Sequence, residues 1–144
     1  MPTMTVPVTR RTLTPFDDPE DIAAWVAREA YRLDPSLPSK TTKAAILVAR
    51  ALIDNALRHG KPPVTVEVAA STVLMIEVAD RGPGMPVVRA DGTGSLATIV
   101  DRLSGLWNVF EREDGSKAVT AAIPIVRNPK SQSVRRTRFA GGAA

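Results

Sequence analysis

Apolar residues recur at two spacings along this chain, and the switch between them predicts where helices and strands lie. Residues 5–13 are expected to form an edge strand whose apolar side chains are Val6, Val8 and Leu13. A helix is predicted from Asp17, since acidic residues occupy its first turn, where they interact favourably with the helix dipole. Its apolar face consists of Ile22, Trp25, Val26, Ala30 and Leu33.

A longer helix is predicted over residues 42–60, where apolar side chains recur every three or four positions and a glycine follows. The apolar stripe consists of Ile46, Ala49, Leu52, Ile53, Ala56 and Leu57. Asn55 lies beside this stripe, although asparagine is a mediocre helix former. A half-buried amide there needs hydrogen-bond partners or a ligand that supplies them. An asparagine at the solvent edge of the helix is the alternative.

The second half of the chain contains short segments rich in β-branched and aliphatic residues, which predict strands. These strands are residues 64–69, 72–79, 107–112 and 117–126, with a helix at 96–103. The first two strands are expected to form one hairpin, and the last two a second hairpin. The predicted fold class is therefore α/β (α+β), a two-layer sandwich with a mixed, mostly antiparallel sheet covered on one face by helices.

One carboxylate, Asp80, follows directly after the second predicted strand and precedes a turn that contains Gly82 and Gly84. Glycine lets the backbone approach a ligand closely, because it has no Cβ. A carboxylate fixed at a strand end can accept a hydrogen bond from a ligand amino group, such as the exocyclic amine of adenine. A glycine-proline loop with a capping aspartate is the alternative interpretation.

Composition narrows the range of functions. The chain has no cysteine, which excludes disulfides and thiolate chemistry. The first residues do not resemble an apolar signal segment, and no apolar run approaches the roughly 20 residues needed to span a bilayer. We therefore expect a soluble, cytoplasmic protein that does not enter the membrane.

Positive charge is concentrated at the C-terminal end of the chain. Residues 127–144 carry five basic side chains and no acidic one, so the net charge of +4 leaves −1 for residues 1–126. We therefore predict one domain over residues 1–126 and a basic, disordered tail over residues 127–144. A solvated tail is favoured over one that contacts nucleic acid weakly, because the domain lacks basic residues interleaved with aromatic ones.

Three segments, in this order, resemble the nucleotide-binding boxes of the GHKL (Bergerat-fold) ATPase superfamily. They are Leu-Ile-Asp-Asn-Ala-Leu-Arg-His at 52–59, Asp-Arg-Gly-Pro-Gly at 80–84, and Gly-Thr-Gly at 92–94 before a predicted helix. That superfamily includes histidine kinase catalytic domains and the anti-sigma serine kinases. The resemblance extends over residues 5–126 and implies a histidine-kinase-like ATPase domain with the Bergerat fold.

The resemblance implies that the ligands are ATP and Mg²⁺. Asp80 would contact the adenine amine and select ATP over GTP, and Gly82 and Gly84 would let the nucleotide lie against the backbone. Asn55 would bind Mg²⁺ through its amide oxygen, together with phosphate oxygens and water. The phosphates would lie against the backbone N–H groups of Gly92, Thr93 and Gly94, at the start of a helix.

The chain departs from the family pattern at several positions. One turn before Asn55, anti-sigma kinases have a glutamate that acts as general base, but here the residue is Ala51, which cannot accept a proton. Asp54 cannot replace it simply, because neighbouring helix residues point about 100° apart. The segment 85–91 is short for a nucleotide lid. The threonine that assists adenine recognition is expected to be replaced by Ala118.

These features predict an ATP-binding regulatory protein of the anti-sigma factor or switch-kinase type, with no catalytic residue of the usual kind. Its partner would be a regulatory protein, either a sigma factor or an anti-sigma antagonist, and a homodimer is consistent with proteins of that type. Two alternatives stay open: an active serine/threonine kinase that phosphorylates an antagonist, and a protein-interaction module that keeps the fold without nucleotide. If Asp80 contacts adenine, Asp80→Asn should weaken ATP binding with little change in the thermal melt.

Overall fold

The structure, a computed structural model, describes residues 6–82 and 106–125. In these residues the elements are β1 (Val8–Leu13), α1 (Pro19–Leu33), α2 (Ser39–His59), β2 (Val64–Ala70), β3 (Val73–Asp80), β4 (Leu106–Glu111) and β5 (Lys117–Pro124). Several predictions lie outside the described residues: the helix at 96–103, the short segment 85–91, the basic tail, and the site residues Gly84, Gly92, Thr93 and Gly94.

The five described strands form one sheet in the order β1-β2-β3-β5-β4, and every pairing between them is antiparallel. The prediction of a mixed sheet is therefore wrong for this part of the chain. Two helices separate β1 from β2, so the chain crosses the molecule twice and β2 begins where β1 ended. Hairpins then join β2 to β3 and β4 to β5, and a hairpin makes its two strands antiparallel.

Local capping explains where the two described helices begin and end. Asp18 caps α1, because its side chain accepts a hydrogen bond of 2.8 Å from the backbone N–H of Glu20. Helix α2 begins at Ser39, three residues earlier than predicted, directly after Pro38. It ends where the N–H of Gly60 donates to the carbonyl of Ala56 at 2.8 Å.

The core lies between one face of the sheet and the two described helices. Strand β2 shows why: buried Val64, Val66, Val68 and Ala70 alternate with half-buried residues, as expected for a strand with one covered face. The predicted apolar stripe of α2 supplies Leu52 and Ile53, which are both almost fully buried in the same cluster. The two-layer α+β arrangement is therefore confirmed.

A separate finding concerns membranes. Within the described residues, no helix has both the length and the apolar character that a membrane crossing requires.

Candidate functional site

Asp80 is the last residue of β3, and its side chain is buried. The Oδ1 atom accepts hydrogen bonds from the backbone N–H of Gly82 at 2.6 Å and from that of Lys61 at 3.4 Å. The N–H of Arg81 donates to the carbonyl of Lys61 at 2.9 Å. Because these bonds tie the end of β3 to the chain after α2, the capping role considered for this aspartate is confirmed for Oδ1.

Two glycines make room for the Asp80 carboxylate. A Cβ at Gly60 would lie 2.7 Å from Oδ1 of Asp80 and 2.6 Å from the carbonyl oxygen of Ala56. A Cβ at Gly82 would lie 2.9 Å from the same Oδ1. Real Cβ atoms do not approach other atoms so closely, so both positions need glycine for space. The sequence predicted the close approach of a ligand at Gly82, whereas the close neighbour there is the Asp80 carboxylate, and Gly60 was explained only as a helix end.

Lys117 lies beside the second oxygen of the carboxylate. It is the first residue of β5 and the register partner of Asp80, and its Nζ lies 3.7 Å from Oδ2. Only 11% of the Lys117 side chain and 5% of the Asp80 side chain are exposed. Ala118 instead pairs with Ala79, so its side chain points to the opposite face of the sheet. The β5 side chain beside Asp80 is therefore that of Lys117, and the replacement of the adenine-contacting threonine by Ala118 stays a prediction.

The group formed by Gly60, Lys61, Asp80, Gly82 and Lys117 is named the Asp80 corner. Its carboxylate has one oxygen held by backbone N–H groups and the other beside an ammonium group. Buried charges are tolerated when they are paired in this way and are costly when they are not. The corner thus offers a hydrogen-bond acceptor and a donor side by side at one end of the sheet.

The turn between β4 and β5 is held next to this corner by Arg81. Its Nη1 donates to the carbonyl of Asp114 at 3.0 Å, and its Nη2 lies 3.7 Å from the Asp114 carboxylate. Hydrogen bonds from the side chain and backbone of Ser116 hold the pKa of Asp114 below its usual value. Gly115 has a φ of 85°, a conformation that favours glycine.

Asn55 and Ala51 lie one helical turn apart on α2, and both are half-buried. Asp54 is engaged elsewhere, since its Oδ1 accepts a hydrogen bond of 3.1 Å from Nε of Arg58. This pair is on the surface, with 41% of the Asp54 side chain and 70% of the Arg58 side chain exposed. The half-buried position predicted for Asn55 is confirmed, and the geometry gives Asp54 a partner on the outer side of the helix. His59 is exposed at the end of α2.

A groove of about 430 Å³ lies between the start of α1 and the outer side of α2. It is lined by Asp18, Pro19, Glu20, Leu47, Arg50, Ala51, Asp54 and Arg58, and it is named the Ala51 groove. Its charged groups are loosely paired, since Nη1 of Arg50 lies 3.9 Å from Oε1 of Glu20. The sequence did not predict the groove, because it depends on how two helices pack.

The chemistry of Asn55 suits a magnesium ion that is bound mainly by a nucleotide. A single amide oxygen fits an ion that takes its other ligands from phosphates and water. Among the described residues, no cluster of three or more histidine, cysteine, aspartate or glutamate side chains could hold a metal by itself.

No family model and no curated protein matches this sequence.

Proposed function

We propose that this chain is an ATP-binding regulatory protein of the anti-sigma factor or switch-kinase type, with the Bergerat fold of the GHKL superfamily. The observation that carries the proposal is the Asp80 carboxylate, which is buried at a strand end with Oδ1 held by two backbone N–H groups. An amino group of the base would meet the other oxygen, Oδ2, which lies 3.7 Å from Nζ of Lys117. A group fixed in this way loses little conformational freedom when it binds a ligand.

The connection between Asp80 and Asn55 supports the same proposal. Gly60 packs directly against the Asp80 carboxylate, and it follows the helix that carries Asn55. Asn55 precedes Gly60 by five residues, which is roughly 7.5 Å along a helix axis. A base at Asp80 and phosphates near Asn55 would therefore lie at successive positions beside one rigid helix.

Of the residues that the structure describes, the proposal assigns only Asn55 to the magnesium ion. When bound, Mg²⁺ neutralises phosphate charge, and the Asn55 amide oxygen would be one of its ligands. The phosphate contacts assigned to Gly92, Thr93 and Gly94, and the backbone contact at Gly84, remain predictions from the sequence.

Catalysis is weak or absent in this proposal. The position of the usual general base is Ala51, and the adjacent acid, Asp54, is bound by Arg58 on the outer side of the helix. Regulation would then depend on binding a protein partner, such as a sigma factor or its antagonist, in the cytoplasm. An active kinase would need its acid from another source.

One observation favours the alternative of an interaction module that binds no nucleotide. The Asp80 carboxylate already has a charged partner in Lys117, as a purely structural aspartate would. The two functions differ in one simple property, which is affinity for ATP.

Calorimetric titration of Mg-ATP into the purified full chain separates them. We expect saturable binding that weakens when Mg²⁺ is removed with a chelator. Inorganic triphosphate serves as the control, since it carries the phosphates without a base and should bind more weakly. Absence of binding at about 1 mM ATP, which corresponds to less than about 4 kcal/mol of binding free energy, would favour the interaction module.

A further inference from the structure

A row of apolar side chains crosses all five described strands on the face of the sheet that the helices leave open. Met75, on the central strand β3, pairs with Ala69 of β2 and with Ala122 of β5. Val8 pairs with Ala69 at one edge of the sheet, and Leu106 pairs with Ala122 at the other. Register partners lie on the same face of a sheet, so these five side chains form one line, which is named the Met75 row.

The Met75 row points away from the core. Leu74 and Ile76, the neighbours of Met75 in β3, are fully buried in the core, whereas 38% of Met75 is exposed. Val8 is also exposed, and Leu106 is 71% exposed. Single exposed apolar residues are ordinary, but a contiguous set marks an interaction surface. We propose that this face is the interface at which two copies of the chain form a homodimer. The proposal goes beyond the proposed function and does not require that ATP binds.

The charged side chains beside the Met75 row are paired within one copy of the chain. Glu67 forms an ion pair with Arg10, and Glu77 forms one with Arg112. Thr120 also donates a hydrogen bond of 2.9 Å to Glu77. Both carboxylates are largely covered by these partners. Two acids and two bases therefore leave no net charge in this group.

This balance favours a second copy over a partner of opposite charge. An identical copy brings the same charge to the interface, so an excess of either sign would repel it. The row also suits two-fold symmetry, because Met75 lies at its middle. A two-fold axis through Met75, in the plane between two facing sheets, lays the row of one copy along that of the other. Met75 would then contact its counterpart at the centre of the interface, where binding energy is concentrated.

The open face is large enough for a stable dimer. Five strands of 6–8 residues form a face of about 24 Å by 23 Å, or about 550 Å² in projection. The accessible area of a pleated surface exceeds its projection, and stable interfaces bury about 600–1,000 Å² per partner. Two such sheets pack face to face with their strand directions within about 30° of each other.

Sedimentation equilibrium of the full chain is the first test. We expect a monomer–dimer equilibrium with a dissociation constant below about 100 µM, since interfaces of standard size reach micromolar affinity or better. A wild-type chain that stays monomeric at about 100 µM would overturn the proposal and leave the face to a partner of another kind. A dimer that has no affinity for ATP would overturn the proposed function and leave this inference standing.

Variants then locate the interface. Met75→Lys brings two ammonium groups together at the centre and should weaken the dimer at least about a hundredfold, because like charges that meet across an interface repel strongly. Tyr31→Lys is the matched control, since Tyr31 is exposed on α1 in the other layer, and it should leave the dimer unchanged. Circular dichroism checks that each variant is folded.

Leu106→Lys serves if Met75→Lys does not fold, because Leu106 is the most exposed residue of the row. It lies at the edge of the interface and should weaken the dimer about tenfold. A dimer that folded Met75→Lys and Leu106→Lys leave intact would overturn the proposal, because another surface would then hold the two copies. Equal weakening by Tyr31→Lys would overturn it too.

Discussion

Helix α2 contributes to two regions that differ in how their charges are held. At its C-terminal end, the Asp80 corner is buried, and backbone N–H groups and Lys117 surround its carboxylate. Along its outer side, the Ala51 groove is open, and its ion pairs join exposed side chains. The geometry of the corner is set by the backbone of the sheet, whereas that of the groove is set by exposed side chains.

Under the proposed function, this difference would separate binding from catalysis. The corner would recognise the base, since its hydrogen-bonding groups are already in place. A general base would belong on the side of α2 that carries Ala51, and no acid occupies that position. Exposed ion pairs such as Asp54–Arg58 contribute only about 0–1 kcal/mol, so the groove can rearrange around a partner at little cost.

The largest expected effect comes from breaking the buried pair. Asp80→Asn would leave the Lys117 ammonium buried without a counter-charge and should lower the free energy of unfolding by roughly 3 kcal/mol. This replaces the expectation, made from the sequence, of an almost unchanged melt. Urea unfolding measures the loss, with Asp54→Asn in the groove as the matched control, which should lose less than about 1 kcal/mol.

A double variant tests whether the unpaired ammonium group causes the loss of stability in Asp80→Asn. Asp80→Asn with Lys117→Met removes both charges, so it should recover much of the stability that Asp80→Asn alone loses. Equal losses for Asp80→Asn and Asp54→Asn would contradict the difference between the two regions.

Crowding the corner should have the next largest effect. Gly60→Ala places a Cβ against the Asp80 carboxylate and the carbonyl of Ala56, and we expect a loss of about 1–3 kcal/mol together with weaker ATP binding. Gly115→Ala is the control, because its Cβ would meet no atom within 4 Å although its φ is positive. It should cost about 1 kcal/mol of backbone strain and leave ATP binding unchanged. Unchanged ATP affinity in folded Gly60→Ala would place the nucleotide elsewhere.

The groove can be tested by restoring the missing acid. Ala51→Glu should raise ATP hydrolysis or phosphate transfer at least about tenfold, a modest part of what a well-placed base provides. Its effect on stability should be small, since the position is only half-buried. Ala51→Gln has the same size without a base and is the control. If Ala51→Glu bound ATP and gained no activity, the absent acid would not be the cause of inactivity.

The smallest expected effect is the contribution of Asp114, in the β4–β5 turn, to the loss of stability at low pH. Hydrogen bonds from Ser116 lower the pKa of Asp114 below its ordinary value of 3.8. A lowered folded-state pKa contributes stability above pH 3.8 that is lost as the pH falls through the folded value. Urea midpoints measured between pH 6 and pH 3 should fall slightly less for Asp114→Asn than for the wild type. Parallel curves would mean that this turn contributes nothing to acid sensitivity.

The sequence predicted those described helices and strands well in which apolar residues recur at a regular spacing. Strand alternation located β2 and β3 to within one residue at each end, and the apolar stripe of α2 identified the buried Leu52 and Ile53. Lys117 was missed because a shift of one residue in register moves every side chain to the other face. No local pattern fixes that register, since it depends on how β5 pairs with β3.

Other features could not be predicted because they depend on packing between distant segments. A glycine at position 60 is already expected because it ends a helix. Its contact with Asp80 could therefore not be predicted from the sequence. The Ala51 groove combines the start of α1 with the middle of α2. The mixed sheet was wrong because the crossing direction of two successive helices decides whether β1 and β2 run parallel.

The most direct test asks which of the two regions meets ATP. Two-dimensional ¹H–¹⁵N spectra of the full chain, recorded during titration with Mg-ATP, would follow the backbone amides of Lys61 and Gly82 in the corner and of Ala51 and Asp54 in the groove. We predict saturable shifts that are largest at Lys61 and Gly82, since their N–H groups hold the carboxylate that would contact the base under the proposed function. Shifts confined to Ala51 and Asp54, or no shifts at all, would contradict the account.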